Sequence, residues 1–305
     1  MLWRQPTDIA SRDLLNGAGG QAHAPKSTTF TFIKEDLDGT ATKFVVKDDD
    51  GVKWKVKLGA EAKPETAATR FLWAAGYFAD EDYFLPTLRI TELPTHLHRG
   101  QKLVGPGGTV HNARLKRELP DGAKGGVWPW KHAPFLGTRE YNGLRVLMAV
   151  INNWDLKDVN NGIYQNADKE RVYAVHDVGA SFGTTGVVLN LNKARGNLRA
   201  YDHSHFITKI TSKKSTLRLR DAPRSGWSSI RPAISCGLAC DPSGTMFRVR
   251  MRNGWAIFLA ALARSRSATH SAARVIRPKR SKDSRGLWKA ASLRYELCKA
   301  SSGID

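Results

Sequence analysis

The stretch NNWDLKDVNN, residues 152–161, lies in the middle of the 305-residue chain and follows a long apolar segment. Within it Asp155, Lys157 and Asn160 supply a carboxylate, an ammonium group and an amide oxygen over six positions. Phosphoryl transfer needs such groups: a cation for the phosphates, a carboxylate near the attacking hydroxyl, and oxygen ligands for Mg²⁺. Taken alone, the stretch is equally typical of a solvated loop between a helix and a strand.

A second acidic motif, HDVGASFG at residues 176–183, follows the apolar segment VYAV. Asp177 and Gly179 form a D-x-G pattern, and Asp177 lies 22 residues after Asp155. An aspartate at the end of a strand can point its carboxylate into a cleft as a metal ligand. An aspartate that opens a tight turn gives the same local pattern. The two motifs in this order favour a phosphate and metal site over two unrelated loops.

The first third of the chain predicts strands and one helix. Residues 28–58 alternate apolar and polar side chains between Asp-Gly turns, which is typical of antiparallel strands. The segment KPETAATRFLWAAGYF, residues 63–78, predicts a helix that begins near Pro64 and ends at Gly76. A further strand is predicted from EDYFLPTLRITEL, residues 81–93.

The middle of the chain predicts loops, a second helix and a hairpin. Residues 94–134 are interrupted by Gly and Pro and are expected to be rich in loops. The segment GTREYNGLRVLMAVINNW, residues 137–154, predicts a helix that Thr138 can cap. The short segments NNGIYQ, residues 160–165, and RVYAVHDVG, residues 171–179, predict a β-hairpin.

Lysines of a predicted strand supply the cation that phosphates need. Alternation in VKWKVKL, residues 52–58, puts Lys55 and Lys57 on one face, and Lys57 at the strand end is the better candidate for a phosphate contact. A lysine-rich strand is also typical of a solvated sheet edge. In the helix that follows, Glu65 either pairs with this lysine or favours the helix N-terminus through the helix dipole.

The turn ahead of this strand is a candidate for a loop that covers the phosphates. The segment EDLDGTATK, residues 35–43, contains Gly39 and Lys43, which offer backbone freedom and a cation. It lacks the full G-x-G-x-x-G pattern of a glycine-rich phosphate loop.

The acidic motifs together resemble the atypical branch of the protein-kinase-like superfamily, whose better-known members are the HipA and CotH kinases. WDLKDVNN has the D-x-x-x-x-N spacing of the kinase catalytic loop, and HDVGASFG has the D-x-G. The segment VKLGAEAKPETAATRFLWAAGYF is similar to a bacterial family of uncharacterised proteins with the same core. The resemblance covers roughly residues 3–214. It departs at Asn153-Trp154, where His-Arg precedes the aspartate in ordinary kinases, and in the eight-residue separation of Lys57 from Glu65.

The resemblance implies an α+β, two-lobed protein-kinase-like fold with a small β-rich N-lobe and a larger helical C-lobe. The N-lobe would span residues 1–98, and an incomplete C-lobe would span residues 99–214. The implied cofactors are ATP and Mg²⁺. The resemblance puts Lys57 on the nucleotide phosphates, Asp155 as catalytic base, and Asn160 and Asp177 on the metal. Lys157, Glu65, Gly39 and Lys43 complete the candidate site.

The last segment, residues 215–305, differs from the rest of the chain. It holds 18 Lys and Arg against 5 Asp and Glu, and it keeps neither a helical nor a strand period for long. A GC-rich gene translated out of frame gives such a composition. Permitted codons for residues 267–294, read in a shifted frame, yield a Thr-Pro-Glu-Glu helix start with amphipathic spacing. We therefore expect an out-of-frame tail; the alternative is a basic nucleic-acid-binding arm centred on RPKRSKDSR, residues 277–285.

Three functions are consistent with these patterns. The first is an ATP- and Mg²⁺-dependent phosphotransferase of atypical kinase type, whose acceptor (a protein or a small molecule) the sequence does not identify. The second is a nucleotide-binding pseudokinase or scaffold with the same fold. The third is nucleic-acid binding through the basic tail. No apolar run approaches the roughly 20 residues of a membrane-spanning helix. The first residues show no signal peptide, and an export signal further upstream would leave them unchanged, so the sequence assigns no compartment.

Overall fold

A computed structural model of the chain describes residues 1–118, 124–166, 169–183, 195–202, 207–210, 215–218 and 233–236. Backbone contacts divide the chain into two compact units. The first unit comprises Met1–Leu144 and Asp155–Ser181, and the second comprises Arg145–Trp154 and Phe182–Asp305. The predicted α+β class is confirmed.

Five strands of the first unit form a closed barrel in the order β1-β2-β3-β6-β5. Neighbouring strands are antiparallel except β1 and β5, whose parallel pairing closes the barrel. Helix α1 connects β3 to the strands that follow it. The barrel elements are β1 Thr29–Asp36, β2 Lys43–Lys47, β3 Lys53–Lys57, α1 Ala62–Ala74, β5 Asp82–Thr91 and β6 Thr109–Arg117.

The barrel interior holds the apolar side of each alternating strand. Trp54 and Val56 of β3 face inward as the alternation predicts, and Phe44 and Val46 of β2 pack beside them. Removing such side chains from water stabilises the fold by roughly 1.5–3 kcal/mol each. The rest of this core consists of Phe30, Leu58, Tyr83, Leu88, Ile90, Val110, Ala113 and Leu115.

Helix α1 has the predicted start and stop. Pro64 lies in its first turn, where a missing N–H removes no helical hydrogen bond. The chain leaves the helix at Gly76, whose φ of 91° is in the left-handed region. A Cβ there would also lie 2.2 Å from the carbonyl oxygen of Arg4, so the position requires glycine.

The first unit has a second sheet in the order β4-β9-β8-β7. Its centre is the predicted hairpin, in which Asn161 pairs with Val175 and Gln165 with Arg171. Trp128 is buried beside it and donates from its indole nitrogen to the carbonyl oxygen of Ala174 at 2.8 Å. The strands are β4 Phe78–Ala79, β7 Lys124–Gly126, β8 Asn161–Gln165 and β9 Arg171–Val175.

Helix α2 spans Arg139–Val150 and belongs to both units. Thr138 caps it as predicted, since the backbone N–H of Tyr141 donates to Thr138 Oγ1 at 3.2 Å. In the second unit the structure also describes α3 Leu198–Asp202 and a three-stranded antiparallel sheet. The strands of this sheet are β10 Ile207–Ile210, β11 Ser215–Arg218 and β12 Ala233–Cys236.

Two expectations differ from the structure. The loop-rich segment 94–134 also contains a long strand that the sequence did not predict, β6 at Thr109–Arg117. The segment expected to be irregular from residue 215 onward contains β11 and β12, and the rest of it lies outside the described residues.

Short 3-10 helices occupy Ile9–Ser11, Gly17–Gly19, Gln21–His23, Gln101–Leu103, Pro106–Gly108 and Asp158–Asn160. Among the described residues no helix combines the length and the apolar character that crossing a membrane takes.

Candidate functional site

Lys57 is the centre of the candidate site. It is the last residue of β3, and although it belongs to the lysine face of that strand it is only 2% exposed. Its Nζ atom lies 2.7 Å from Glu65 Oε2, 2.7 Å from Asp177 Oδ1 and 3.2 Å from Glu61 Oε2. The structure therefore brings together three predicted site residues, Lys57, Glu65 and Asp177, and adds Glu61.

Glu65 is buried in the first turn of α1 and joins two cations. Its Oε2 faces Lys57, and its Oε1 accepts a hydrogen bond from Nη2 of Arg114 at 3.0 Å. Arg114 lies on β6 and is itself buried. The eight-residue separation of Lys57 from Glu65 is sufficient because β3 passes into α1 through a short turn at Gly59, where φ is 88°. Both interpretations of Glu65 are compatible with this geometry, since a first-turn carboxylate also favours the helix dipole.

Glu61 is a site residue that the sequence interpretation missed. It precedes α1 as the N-cap residue, and its carboxylate is 13% exposed. A Cβ at Gly179 would lie 2.9 Å from Glu61 Cβ, so the glycine of the D-x-G motif leaves room for this side chain. The spacing offers a signal that could have identified it: Glu61 and Glu65 are four residues apart, which puts both on one helix face.

Asp177 follows β9 and has a φ of 36°, an unusual value for a residue with a side chain. Such backbone strain concentrates at functional sites. Burial would raise the pKa of Asp177, but the neighbouring Lys57 ammonium outweighs it and holds the pKa below its ordinary value. The carboxylate is therefore ionised at neutral pH, and 48% of the side chain is exposed.

The turn between β1 and β2 lies at the same end of the barrel as Lys57. Lys43 is directly opposite Lys57 in the register of β2 and β3. Lys43 and Lys55 both pair with Asp36, at 3.4 and 3.1 Å. Gly39, with a φ of 64°, shapes the turn, and a Cβ there would meet no atom within 4 Å. The turn is thus positioned as a candidate cover for a ligand of Lys57, and both Lys43 and Lys55 form ion pairs with Asp36 beside it.

The predicted catalytic loop forms its own set of contacts. Asp155 is 22% exposed, and its Oδ1 lies 2.9 Å from Nζ of Lys157. Asn160 is nearly buried, and its amide nitrogen donates to the carbonyl oxygen of Asp155 at 2.9 Å. At the end of the hairpin the N–H of His176 donates to the carbonyl oxygen of Asn160 at 2.7 Å. The hairpin therefore brings the loop to the residue that precedes Asp177.

His176 belongs to a polar network next to the site. Its Nδ1 lies 2.7 Å from Oδ1 of Asp80, and its Nε2 lies 2.6 Å from the hydroxyl of Tyr164. The other oxygen of Asp80 accepts from Lys116 Nζ at 2.9 Å. Burial would raise the pKa of Asp80, but the adjacent imidazole and ammonium lower it well below its ordinary value. The network fixes the backbone on the N-terminal side of Asp177.

Asp82 has a different environment. Its carboxylate is fully buried and has no hydrogen-bond partner among the described residues; the nearest cation atom is Arg114 Nε at 3.6 Å. Burial raises the pKa of Asp82 to about 6, with Arg114 opposing the shift and Glu65 adding to it. Asp82 thus competes with Glu65 for the same guanidinium group.

Asp177 and Asn160 carry hard oxygen donors, the type that Mg²⁺ accepts and a softer metal does not prefer. Asp177 provides a partly exposed carboxylate, and Asn160 provides an amide oxygen whose own nitrogen is taken by Asp155. Mg²⁺ prefers such oxygen ligands and retains several waters. Carboxylate oxygens of Glu61, Glu65 and Asp177 also lie within 4.8 Å of one another.

A scan against protein-family models gives no match for the chain, and a search among curated proteins gives none either.

Proposed function

We propose that the protein is an ATP- and Mg²⁺-dependent phosphotransferase with a two-lobed, kinase-like fold. The observation that carries the proposal is the position of Lys57, 2.7 Å from both Glu65 and Asp177. Kinases use the same three elements: a lysine on the third strand, a glutamate on the next helix and a metal-binding aspartate of a D-x-G motif. In this chain the three come from β3, α1 and the second residue after β9.

The residues of the barrel would bind the nucleotide. Lys57 contacts phosphate oxygens, and Glu65 together with Arg114 holds the ammonium in place. Lys43 and the turn at Gly39 lie at the same end of the barrel and cover the phosphates. Asp177 and Asn160 would hold Mg²⁺, which when bound neutralises charge on the transferring phosphoryl group.

The catalytic loop would act on the acceptor. Asp155 accepts the proton of the attacking hydroxyl, as a carboxylate within hydrogen-bond reach of that hydroxyl can. Lys157 pairs with Asp155 at 2.9 Å and balances its charge before the acceptor binds. The side-chain amide of Asn160 donates a hydrogen bond to the carbonyl oxygen of Asp155 and so stabilises the conformation of the loop. The acceptor is a hydroxyl compound, either a protein or a small molecule.

A pseudokinase or scaffold is the second candidate. It is favoured by Asn153 and Trp154, which replace the His-Arg pair that precedes the catalytic aspartate in ordinary kinases. The third candidate, nucleic-acid binding through the basic tail, concerns residues most of which lie outside the described part of the chain.

The test is a thermal-shift titration with ATP in Mg²⁺ and in EDTA, followed by an autophosphorylation and ATP-turnover assay. A phosphotransferase raises its melting temperature with ATP and Mg²⁺ and releases ADP. Stabilisation without turnover would favour the pseudokinase. An unchanged melting temperature at millimolar ATP would exclude both, since saturating a site at 100 times Kd stabilises by about 2.7 kcal/mol.

A further inference from the structure

The ammonium group of Lys57 is enclosed by three carboxylates. It has three N–H donors, and Glu61, Glu65 and Asp177 lie within 3.2 Å of its nitrogen. The ammonium donates hydrogen bonds to Glu61 Oε2 and Asp177 Oδ1, Glu65 Oε2 is an ion-pair partner at 2.7 Å, and only 2% of the lysine is exposed. A phosphate oxygen that contacts this nitrogen must therefore replace one of the carboxylates.

The three carboxylates differ in their ability to move. Glu65 is 1% exposed and also pairs with Arg114, so its withdrawal would leave buried charges unpaired. Asp177 is 48% exposed and can turn toward a metal ion. Glu61 is 13% exposed and lies between the ammonium group and Gly179. The replaceable partners are thus Asp177 and Glu61.

The charge of the site disfavours a bare nucleotide. Three carboxylates face two cations, Lys57 and Arg114, so these five groups carry a net charge of −1. The nearby ammonium of Lys43 is balanced by its ion pair with Asp36. A triphosphate at Lys57 would meet the carboxylate of Glu61 at close range, and like charges at such distances repel strongly where water is partly excluded. A divalent cation at Asp177 changes this balance, because it withdraws one carboxylate from Lys57 and adds two positive charges.

Resting on the proposed function, we propose that Glu61 is a gating residue that occupies Lys57 in the nucleotide-free protein and makes phosphate binding depend on a divalent cation. Without the cation, Glu61 and Asp177 exclude the phosphates. With it, Asp177 moves to the metal, a donor of Lys57 becomes accessible, and Glu61 yields to the phosphate oxygens. Glu65 remains on Lys57 in both states.

Two substitutions remove the charge of Glu61 with different effects on the fold. Glu61→Gln keeps the length of the side chain that packs on Gly179. Glu61→Ser removes the carboxylate and shortens the side chain, so it tests the charge independently of the packing on Gly179. Glu92→Gln is the matched control, because it removes the charge of an exposed glutamate away from the site. Asp82, near Arg114, begins the ten-residue strand β5, and Glu92 follows the opposite end of that strand.

The experiment measures the affinity for ATP and for tripolyphosphate by calorimetry, in Mg²⁺ and in EDTA. We expect both Glu61 variants to bind these ligands in EDTA roughly tenfold more tightly than the parent, as removal of a nearby like charge predicts. Their affinities in Mg²⁺ should change much less, and Glu92→Gln should match the parent throughout. Glu65→Gln should weaken binding in both buffers.

The outcomes separate this proposal from the one on which it rests. If the parent binds ATP in Mg²⁺ but the Glu61 variants show the same ratio of affinities in Mg²⁺ and EDTA as the parent, the gate is disproved and the phosphotransferase remains. Weaker binding by the Glu61 variants in EDTA would also disprove the gate. If neither the parent nor any variant binds ATP in either buffer, the proposed function fails and the gate fails with it.

Discussion

Nζ of Lys57 and Oδ1 of Asp177 lie 2.7 Å apart although 120 residues separate them in sequence. Lys57 ends a strand of the barrel, and Asp177 follows a strand of the second sheet. The contact therefore exists only when both sheets of the first unit are formed. Because it joins the strongest cation candidate to the D-x-G motif, it is the contact whose loss should have the largest functional effect.

Lys57→Ala should lower ATP turnover by about 10²-fold or more, the range seen when a charged or polar group that stabilises a transition state is removed. Lys55→Ala should change turnover by less than about threefold, because that lysine is partly exposed and pairs with Asp36. The measurement is ADP release at saturating ATP and Mg²⁺. A larger loss in Lys55→Ala would move the phosphate contact two residues back along β3.

The lysine experiment needs a check on folding. Removing the ammonium leaves the carboxylates of Glu61, Glu65 and Asp177 facing one another, so Lys57→Ala should also melt at a lower temperature than the parent. Lys57→Arg keeps the charge and should recover most of the melting temperature. It should recover little of the turnover, because a planar guanidinium group does not fit a site shaped for a compact ammonium.

Most elements of the described fold could be predicted from local patterns. Three strands joined by Asp-Gly turns, the helix after them, and the later hairpin follow from alternation, Pro and Gly positions and a Thr cap. Strand β6 was missed for a physical reason. Asn112 has a φ of 56°, which shifts the alternation so that Val110 and Ala113, three positions apart, both face the barrel core. Arg114, polar in sequence, is buried on the opposite side.

The candidate site was predictable only in part. Lys57, Glu65 and Asp177 could be selected because their residue types and order match a known chemistry. The network of Asp80, His176 and Tyr164 could not, because it depends on pairings that span up to 96 residues and that no local period encodes. Local sequence patterns identified the charged residues that are candidates for the site. Which of these residues contact one another is determined by the tertiary fold.

Gly162→Ala should destabilise the protein by about 1–3 kcal/mol, the usual range for overpacking. A Cβ at this position would lie 2.1 Å from Nε2 of His176, so the ring would have to leave Tyr164 and Asp80. Gly125→Ala is the matched control on the neighbouring strand, where the nearest atom would lie at 3.5 Å, an ordinary contact. Urea unfolding of the two variants measures the difference. Equal stabilities would show that His176 is not packed as described.

Asp82→Asn should change how stability depends on pH. The pKa of Asp82 is raised to about 6 in the folded state, from 3.8 when unfolded. Between these values the folded protein binds more protons than the unfolded chain, so this carboxylate lowers stability as pH rises from about 4 to 6. Relative to Asp82→Asn, the parent should lose on the order of 1–3 kcal/mol across that window. Chemical unfolding at pH 4.5 and 6.5 tests this; a constant difference between the two proteins would contradict the burial of an ionisable Asp82.

The basic tail provides a prediction that does not depend on the site. If residues 215–305 are translated out of frame, trypsin should remove most of the segment while residues 1–183 resist digestion. Any nucleic-acid binding by the tail should then be purely electrostatic: its affinity should fall steeply with salt concentration and should not depend on the nucleic-acid sequence. Mass spectrometry of the digest gives the answer. A tail that resists trypsin within a chain that melts cooperatively would favour the basic arm.

Asp177→Asn and Asp155→Asn should separate binding from transfer. Asp177→Asn replaces a charged oxygen ligand, so ATP affinity in Mg²⁺ should fall by about tenfold or more. Asp155→Asn should leave ATP affinity in Mg²⁺ within about threefold of the parent, because Asp155 contacts Lys157 and the loop rather than Lys57. Its turnover should nevertheless fall by about 10²–10⁴-fold, the range for loss of a general base. Calorimetry and ADP release on the same preparations give both quantities. If Asp155→Asn turned over ATP like the parent, Asp155 would not be the base, and if Asp177→Asn kept full affinity in Mg²⁺, the metal would have to lie elsewhere.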